Sequence, residues 1–117
     1  MVYKSNTKIN ILHIYTIWNI MTRVVNKRKE KYDVYIGRGS IFGNPYTHRF
    51  IDGTKASYQV SSREEAIESY SKYFYDRIEH DLEFLDEVLR LKDKTLGCYC
   101  SPATCHGDVI SEFLNKL

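Results

Sequence analysis

The stretch Leu96-Gly97-Cys98-Tyr99-Cys100-Ser101-Pro102-Ala103-Thr104-Cys105-His106-Gly107-Asp108-Val109 constrains this chain more than any other. Thr95 to Cys100 reads as a buried strand and Ser101-Pro102 breaks it. Val109, Ile110, Phe113 and Leu114 then recur at helical spacing, with a helix start near His106. A strand, a tight turn and a helix N-terminus thus follow one another with little slack. Upstream, Arg23 to Asn26 and Asp33 to Gly37 read as short strands, and Gly43-Asn44-Pro45 as a turn. Thr47 to Ser62 is a polar loop or loose hairpin holding the turn signal Asp52-Gly53. Ser62 caps a helix with Glu65 as its capping-box partner, followed by Ala66, Ile67, Tyr70, Phe74 and Ile78. The apolar stripe continues through Leu82, Leu85, Val88 and Leu89 after a break near His80-Asp81, and Lys92-Asp93-Lys94 ends it. Strands, a helix or helix pair, a strand and a helix make a small single α/β domain. It is Rossmann-like, or an irregular sheet with packed helices, and the strand order stays open.

At 117 residues the chain has the length of one domain, and 43% hydrophobic with 27% charged residues is a globular composition. A net charge of +2 is too small to identify a nucleic-acid binder. The charge is uneven, however: Arg23, Lys27, Arg28, Lys29, Lys31, Arg38 and Arg49 face only Glu30 and Asp33 in their stretch, while Glu64 to Glu87 is mostly acidic. The basic half suits an anion such as a phosphate or, equally, a solvated surface. Three cysteines within eight residues are not a secreted disulfide framework and point to a reducing, cytoplasmic setting. Ile9 to Met21 is apolar but carries Asn10, His13 and Asn19, lacks a cleavage site and is too short for a membrane span. Residues 1–22 are therefore an extra element or an N-terminal extension, and residues 23–117 the domain.

Strand alternation puts Cys98 and Cys100 on one face, and the following turn can return Cys105 and His106 to it. Three thiolates and an imidazole are a zinc ligand set, so Cys98, Cys100, Cys105 and His106 are the expected metal site. Adjacent residues seldom ligate one ion together, which leaves room for a more distant donor such as His48. Two other readings stand beside zinc: inert buried cysteines, and a Cys105 thiol activated at a helix N-terminus by His106. His106 and Asp108 are the candidate catalytic pair, although a first-turn acid also suits the helix dipole.

Tyr35-Ile36-Gly37-Arg38-Gly39-Ser40-Ile41-Phe42-Gly43-Asn44-Pro45-Tyr46 combines glycines with an arginine that can fork onto a phosphate or carboxylate. It matches neither a Walker loop nor a dinucleotide fingerprint. Asn26, Arg38, Gly39, Asn44 and Tyr46 form the expected substrate-binding set.

Val24-Val25-Asn26-Lys27-Arg28, Tyr35 to Gly39, Gly43-Asn44-Pro45, Arg63-Glu64-Glu65-Ala66 and the ending Leu96 to Val109 together resemble domain-of-unknown-function family 4326, from about Arg23 to Leu117. Tyr99 stands where family members usually carry Trp. The resemblance implies proteins of phages and bacteria in nucleotide or DNA-modification settings. The concrete expectation is an enzyme, transferase in type, modifying a nucleobase or nucleotide. One version is group transfer such as methylation on a 7-deazaguanine-type base in DNA. Its partners would be a nucleotide or DNA, with zinc and a methyl donor as cofactors. The alternative is a non-catalytic, zinc-stabilised nucleotide- or DNA-binding module; a thiol-transfer protein is the third. The His-x-Glu and Pro-Cys-x-x-Cys pattern of zinc deaminases is absent.

Overall fold

The computed structural model describes residues 21–49 and 55–117. The apolar run up to residue 20 and the Asp52-Gly53 turn lie outside these residues. Among the described residues, five short strands, β1 (Arg23–Asn26), β2 (Val34–Tyr35), β3 (Tyr46–Thr47), β4 (Tyr58–Gln59) and β5 (Thr95–Cys98), accompany three helices, α1 (Arg63–His80), α2 (Leu82–Leu89) and α3 (His106–Asn115). The domain is mixed α/β, as the element pattern predicts.

The main sheet is parallel, with order β1-β5-β2 and the last strand of the chain at its centre. Val24 pairs with Leu96 and Val34 also faces Leu96, so both neighbours enter the central strand at the same level. β5 suits that position: Leu96, Gly97 and Cys98 are all buried, as a strand covered on both faces requires. β3 and β4 also pair in parallel, Tyr46 with Tyr58, so they do not form a hairpin, whose strands run antiparallel.

Local chemistry sets the helix boundaries. Ser62 Oγ accepts from the Glu65 amide at 3.0 Å, while Glu65 reaches back one residue further than a standard box, to the Ser61 N–H at 2.8 Å. Asp81 ends α1 in an extended conformation and caps α2 through its side chain, accepting from Phe84 N at 3.0 Å. This restart resets the helical phase. The buried residues of α2 are Phe84 and Val88, whereas Leu82, expected on the apolar stripe, is 78% exposed.

Ile36, Phe42, Tyr70, Phe74, Phe84, Val88, Leu91, Leu96, Ile110 and Leu114 make one core, which also takes in Cys98 and Cys105. α1 packs on α2, α3 and β3, and α3 packs on β1. Thr22 is buried and is tied in by a pair of bonds with Asn115 and by an Oγ1 acceptor for the Asp93 amide. The packed unit therefore includes this residue, just before β1. Among the described residues, no helix is long and apolar enough to cross a membrane.

Candidate functional site: a cationic cleft over a sulfur pair

The carboxyl ends of β1, β5 and β2 carry Asn26, Cys98 and Tyr35, and α3 begins beside them. Ligands of open parallel sheets bind at this end of the strands. Gly107 fixes how closely the helix approaches. A Cβ there would lie 2.7 Å from Ile36 Cδ1 and 3.1 Å from Val24 Cγ1, so only glycine lets the first turn of α3 sit on the sheet. The residues just before it, Cys105 and His106, are thereby buried at the strand ends.

A cleft of about 530 Å³ opens at this point. Its walls include Arg38, Arg49, Arg63, His48, His106, Tyr35, Tyr99, Thr47 and Thr104, with Cys98, Cys100 and Cys105 among its lining. No carboxylate is found among the described lining residues, so its three guanidiniums give it an electropositive wall. The size suits a small-molecule ligand.

Two of the sulfurs meet. Cys98 Sγ lies 3.3 Å from Cys105 Sγ, and both residues are almost fully buried. Cys105 also caps α3: its sulfur accepts from the Gly107 N–H at 3.3 Å, and Asp108 Oδ2 returns a bond to the Cys105 N–H at 3.0 Å. The hydrogen bond from Cys105, together with the Ser101 and Cys100 backbone N–H groups, outweighs burial and pulls the Cys98 thiol down to about 6. The same bond, burial and the Cys98 charge push the Cys105 thiol up, which leaves it as the donor of the pair. The pair thus favours a thiolate on Cys98 over one on Cys105, beside the cationic walls.

His106 Nε2 lies 2.6 Å from the Ile36 carbonyl oxygen. A carbonyl only accepts, so Nε2 carries the proton and Nδ1 keeps its lone pair. Burial and, secondarily, the Arg38 charge lower the imidazole pKa, and its ring stands edge-on to Tyr70 with centroids 5.0 Å apart. His106 is a neutral acceptor on the cleft wall.

The expected metal set is only partly assembled. β5 stops at Cys98, so strand alternation does not extend to Cys100, which is exposed on the bend beyond while Cys98 is buried. Among the described residues, no three Cys, His, Asp or Glu side chains gather in a metal-holding group. Asp108 is exposed, lies outside the cleft lining and serves the cap of α3.

The expected substrate-binding residues divide. Arg38 and Asn44 line the cleft, but each is engaged by the fold. Arg38 donates from Nε to the Asn44 carbonyl at 3.0 Å and from a terminal nitrogen to the Tyr46 carbonyl at 2.6 Å. Buried Asn44 donates to the Ala66 carbonyl at 3.2 Å and accepts from Tyr46 N at 2.8 Å. Asn26 fastens the loop after β5, donating to the Tyr99 and Ser101 carbonyls at 3.2 and 3.0 Å. Tyr46 stacks on Tyr58, centroids 5.2 Å apart, outside the cleft. Gly39, at φ 97°, lines a separate shallow recess with Lys55, Tyr73 and Arg77. Sequence reasoning passes over Arg63, whose guanidinium donates to the Thr104 carbonyl at 2.5 Å across the cleft wall, and over Tyr35 and Tyr99 as an edge-to-face pair with centroids 6.1 Å apart. The available signal is that Arg63 is the basic first residue of an otherwise acidic helix start.

The chain is 38% identical over 97 residues to an uncharacterized 12.4 kDa protein in the nrdA-td intergenic region of Enterobacteria phage T4, covering 83% of this chain and 81% of the phage protein. No solved structure matches. The family model DUF4326, a domain of unknown function, matches residues 21–116, which takes in the whole sheet, the cleft and α3, and the chain belongs to that family.

Proposed function

We propose that this domain is an enzyme acting on a nucleotide, or on the base that a nucleotide carries, by substitution at an electron-poor base carbon. The observation that carries the reading is the cleft: three arginines with no described carboxylate, set over the Cys98 sulfur at the carboxyl ends of a parallel sheet. Arg49, together with the N–H groups that Arg38 and Arg63 do not give to backbone carbonyls, would hold phosphate, which guanidinium groups match in geometry. Tyr35 offers a ring for the base. Cys98 supplies the electron pair that forms a bond to carbon while the displaced group departs with its own pair. Water then adds to the same carbon, gives its proton to solvent, and displaces the Cys98 sulfur with its electron pair, which restores the thiolate. His106 Nδ1 accepts a hydrogen bond from the base edge.

Cys98, Cys100, Cys105, His48 and His106 all border the cleft, and this favours a second reading, a nucleotide-binding module stiffened by zinc. One variant separates the two. In the enzyme, Cys98→Ser abolishes turnover of nucleotide substrates but keeps nucleotide affinity and folding, and Arg63→Ala weakens affinity about tenfold, a loss of one charge-assisted contact. In the module, purified protein holds one equivalent of zinc by elemental analysis and Cys98→Ser unfolds. If no nucleoside phosphate stabilises the protein in a thermal-shift screen, both readings fall.

A further inference from the structure

We propose that the cleft receives its nucleotide as part of a single-stranded polynucleotide, with the loop Lys27–Lys31 seating the flanking backbone and Tyr99 stacking a neighbouring base. This rests on the nucleotide reading above and extends it from a free metabolite to a polymer.

The loop leaves the carboxyl end of β1, at the mouth of the cleft, and is fastened there. The Lys27 N–H donates to the Cys98 carbonyl at 2.8 Å, and Asn26 Oδ1 accepts from the Arg28 N–H at 2.9 Å. Because Asn26 also donates to the Tyr99 and Ser101 carbonyls, one side chain couples the basic loop to the cleft rim. Lys27 Nζ lies 4.7 Å from the Tyr35 ring centroid, 5.0 Å from Tyr99 and 5.9 Å from Tyr32, and the Arg28 guanidinium lies 4.9 Å from Tyr99. Tyr35 and Tyr99 also line the cleft, so the loop and the cleft share these rings. Tyr99 is 49% and Tyr32 38% exposed, while Arg28, Lys29 and Lys31 face solvent with Glu30 as the loop's single acid.

A free mononucleotide needs one phosphate site and one base site, and the cleft provides both. It leaves the second cationic and aromatic surface unexplained. A strand with one base in the cleft must leave the mouth by its flanking phosphates and next base, and a basic loop interleaved with tyrosines is what sequence-tolerant single-strand sites are made of. A stacked duplex cannot deliver a base into a recess of this kind unless that base is extruded.

The test uses the full chain, the four deoxynucleoside monophosphates, and labelled mixed-sequence deoxy- and ribohexanucleotides, titrated between about 50 and 200 mM salt. A hexanucleotide binding at least about tenfold tighter than the best monophosphate, with a steeper salt dependence, is expected. The triple variant Arg28→Ala, Lys29→Ala, Lys31→Ala should bring hexanucleotide affinity down to the monophosphate level and leave monophosphate affinity unchanged, with the unfolding midpoint confirming an intact fold. Comparison of the two sugars assigns DNA or RNA. If monophosphates bind and hexanucleotides bind no tighter, the polymer proposal is overturned while the nucleotide reading stands. If the triple variant loses monophosphate binding equally, the loop belongs to the mononucleotide site and the proposal is again overturned. If neither ligand binds, the nucleotide reading itself fails.

Discussion

The segment Gly37–Tyr46 and the segment Cys98–His106 meet at the same cleft, and they use their polar groups in opposite ways. In the first, Arg38, Ser40 and Asn44 direct hydrogen bonds at nearby backbone: Ser40 Oγ to the Gly37 carbonyl at 2.6 Å, Arg38 to Asn44 and Tyr46, Asn44 to Ala66. In the second, the turn is held largely from outside, by Asn26 and by the α3 cap; Cys98 and Cys105 pair chiefly with each other, and His106 gives only one ring nitrogen to backbone. Both segments look equally chemical in sequence. The difference teaches that a polar residue bordering a cleft is a site residue to the degree that its hydrogen-bonding capacity is left over once the backbone is satisfied.

The largest effect that could break this contrast belongs to Asn44. Its amide is 7% exposed and joins the Tyr46 strand to α1. Asn44→Ala removes a bond to the Ala66 carbonyl, which keeps its place in the α1 ladder, and takes the acceptor from the part-buried Tyr46 N–H, so a loss of about 1–3 kcal/mol is expected in urea unfolding. A loss below about 1 kcal/mol with abolished nucleotide binding would make Asn44 a ligand contact and reverse the assignment of the two segments.

Next in size is the charge state of the sulfur pair. In Cys100→Ser, ultraviolet thiolate absorbance should rise with a midpoint of about 6, from Cys98. A midpoint near about 8.5, the ordinary thiol value, would mean that no thiolate is held. The stability consequence has a definite sign. The unfolded Cys98 binds its proton below about 8.5 and the folded one only below about 6, so its contribution is complete above the former value and is lost as pH falls through the latter. The lowered His106 adds to the acid-side loss below about 6.5. Cys105 is raised, so folding weakens above about 8.5, where the unfolded thiol ionises first. These three groups favour greatest stability between about 8 and 8.5, and Cys98→Ala should flatten the acid side of the curve.

Local structure was legible in the sequence because it is written by neighbours. The strand Arg23–Asn26, the Ser62 cap, the break at His80-Asp81 and the start of α3 each depend on a few consecutive residues. The place of β5 between β1 and β2 depends on how two crossovers run, which no local pattern encodes. The phase of α2 escapes for a related reason. The stripe through Leu82 assumes one continuous helix, and the Asp81 cap starts a new one with a different buried face. In the site, the turn expected after the strand brings Cys98 and Cys105 together, but extending strand alternation to Cys100 carries it too far. Arg63 and Arg49 reach the cleft from elements far from the cysteines in sequence, so reading the cysteine motif alone leaves the site's charge unaccounted for.

The smallest effect sharpens the comparison within the second segment itself, where Asp108 stands beside Cys105 and His106 but belongs to the scaffold. Its carboxylate accepts from the Cys105 N–H, is exposed and lies outside the cleft lining. Asp108→Ala removes one side of a capping box whose other side, Cys105 to Gly107, stays, and a partial cap of this kind is worth about 0.5–1 kcal/mol. The expected result is that small loss of stability, with nucleotide affinity and any turnover within about twofold of the parent once the unfolded fraction is removed. His106→Gln keeps a donor for the Ile36 carbonyl but removes the Nδ1 lone pair, so it should lower turnover far more than it lowers stability. If Asp108→Ala abolishes turnover at full occupancy of the folded state while His106→Gln does not, the carboxylate is the working group and the cap is incidental.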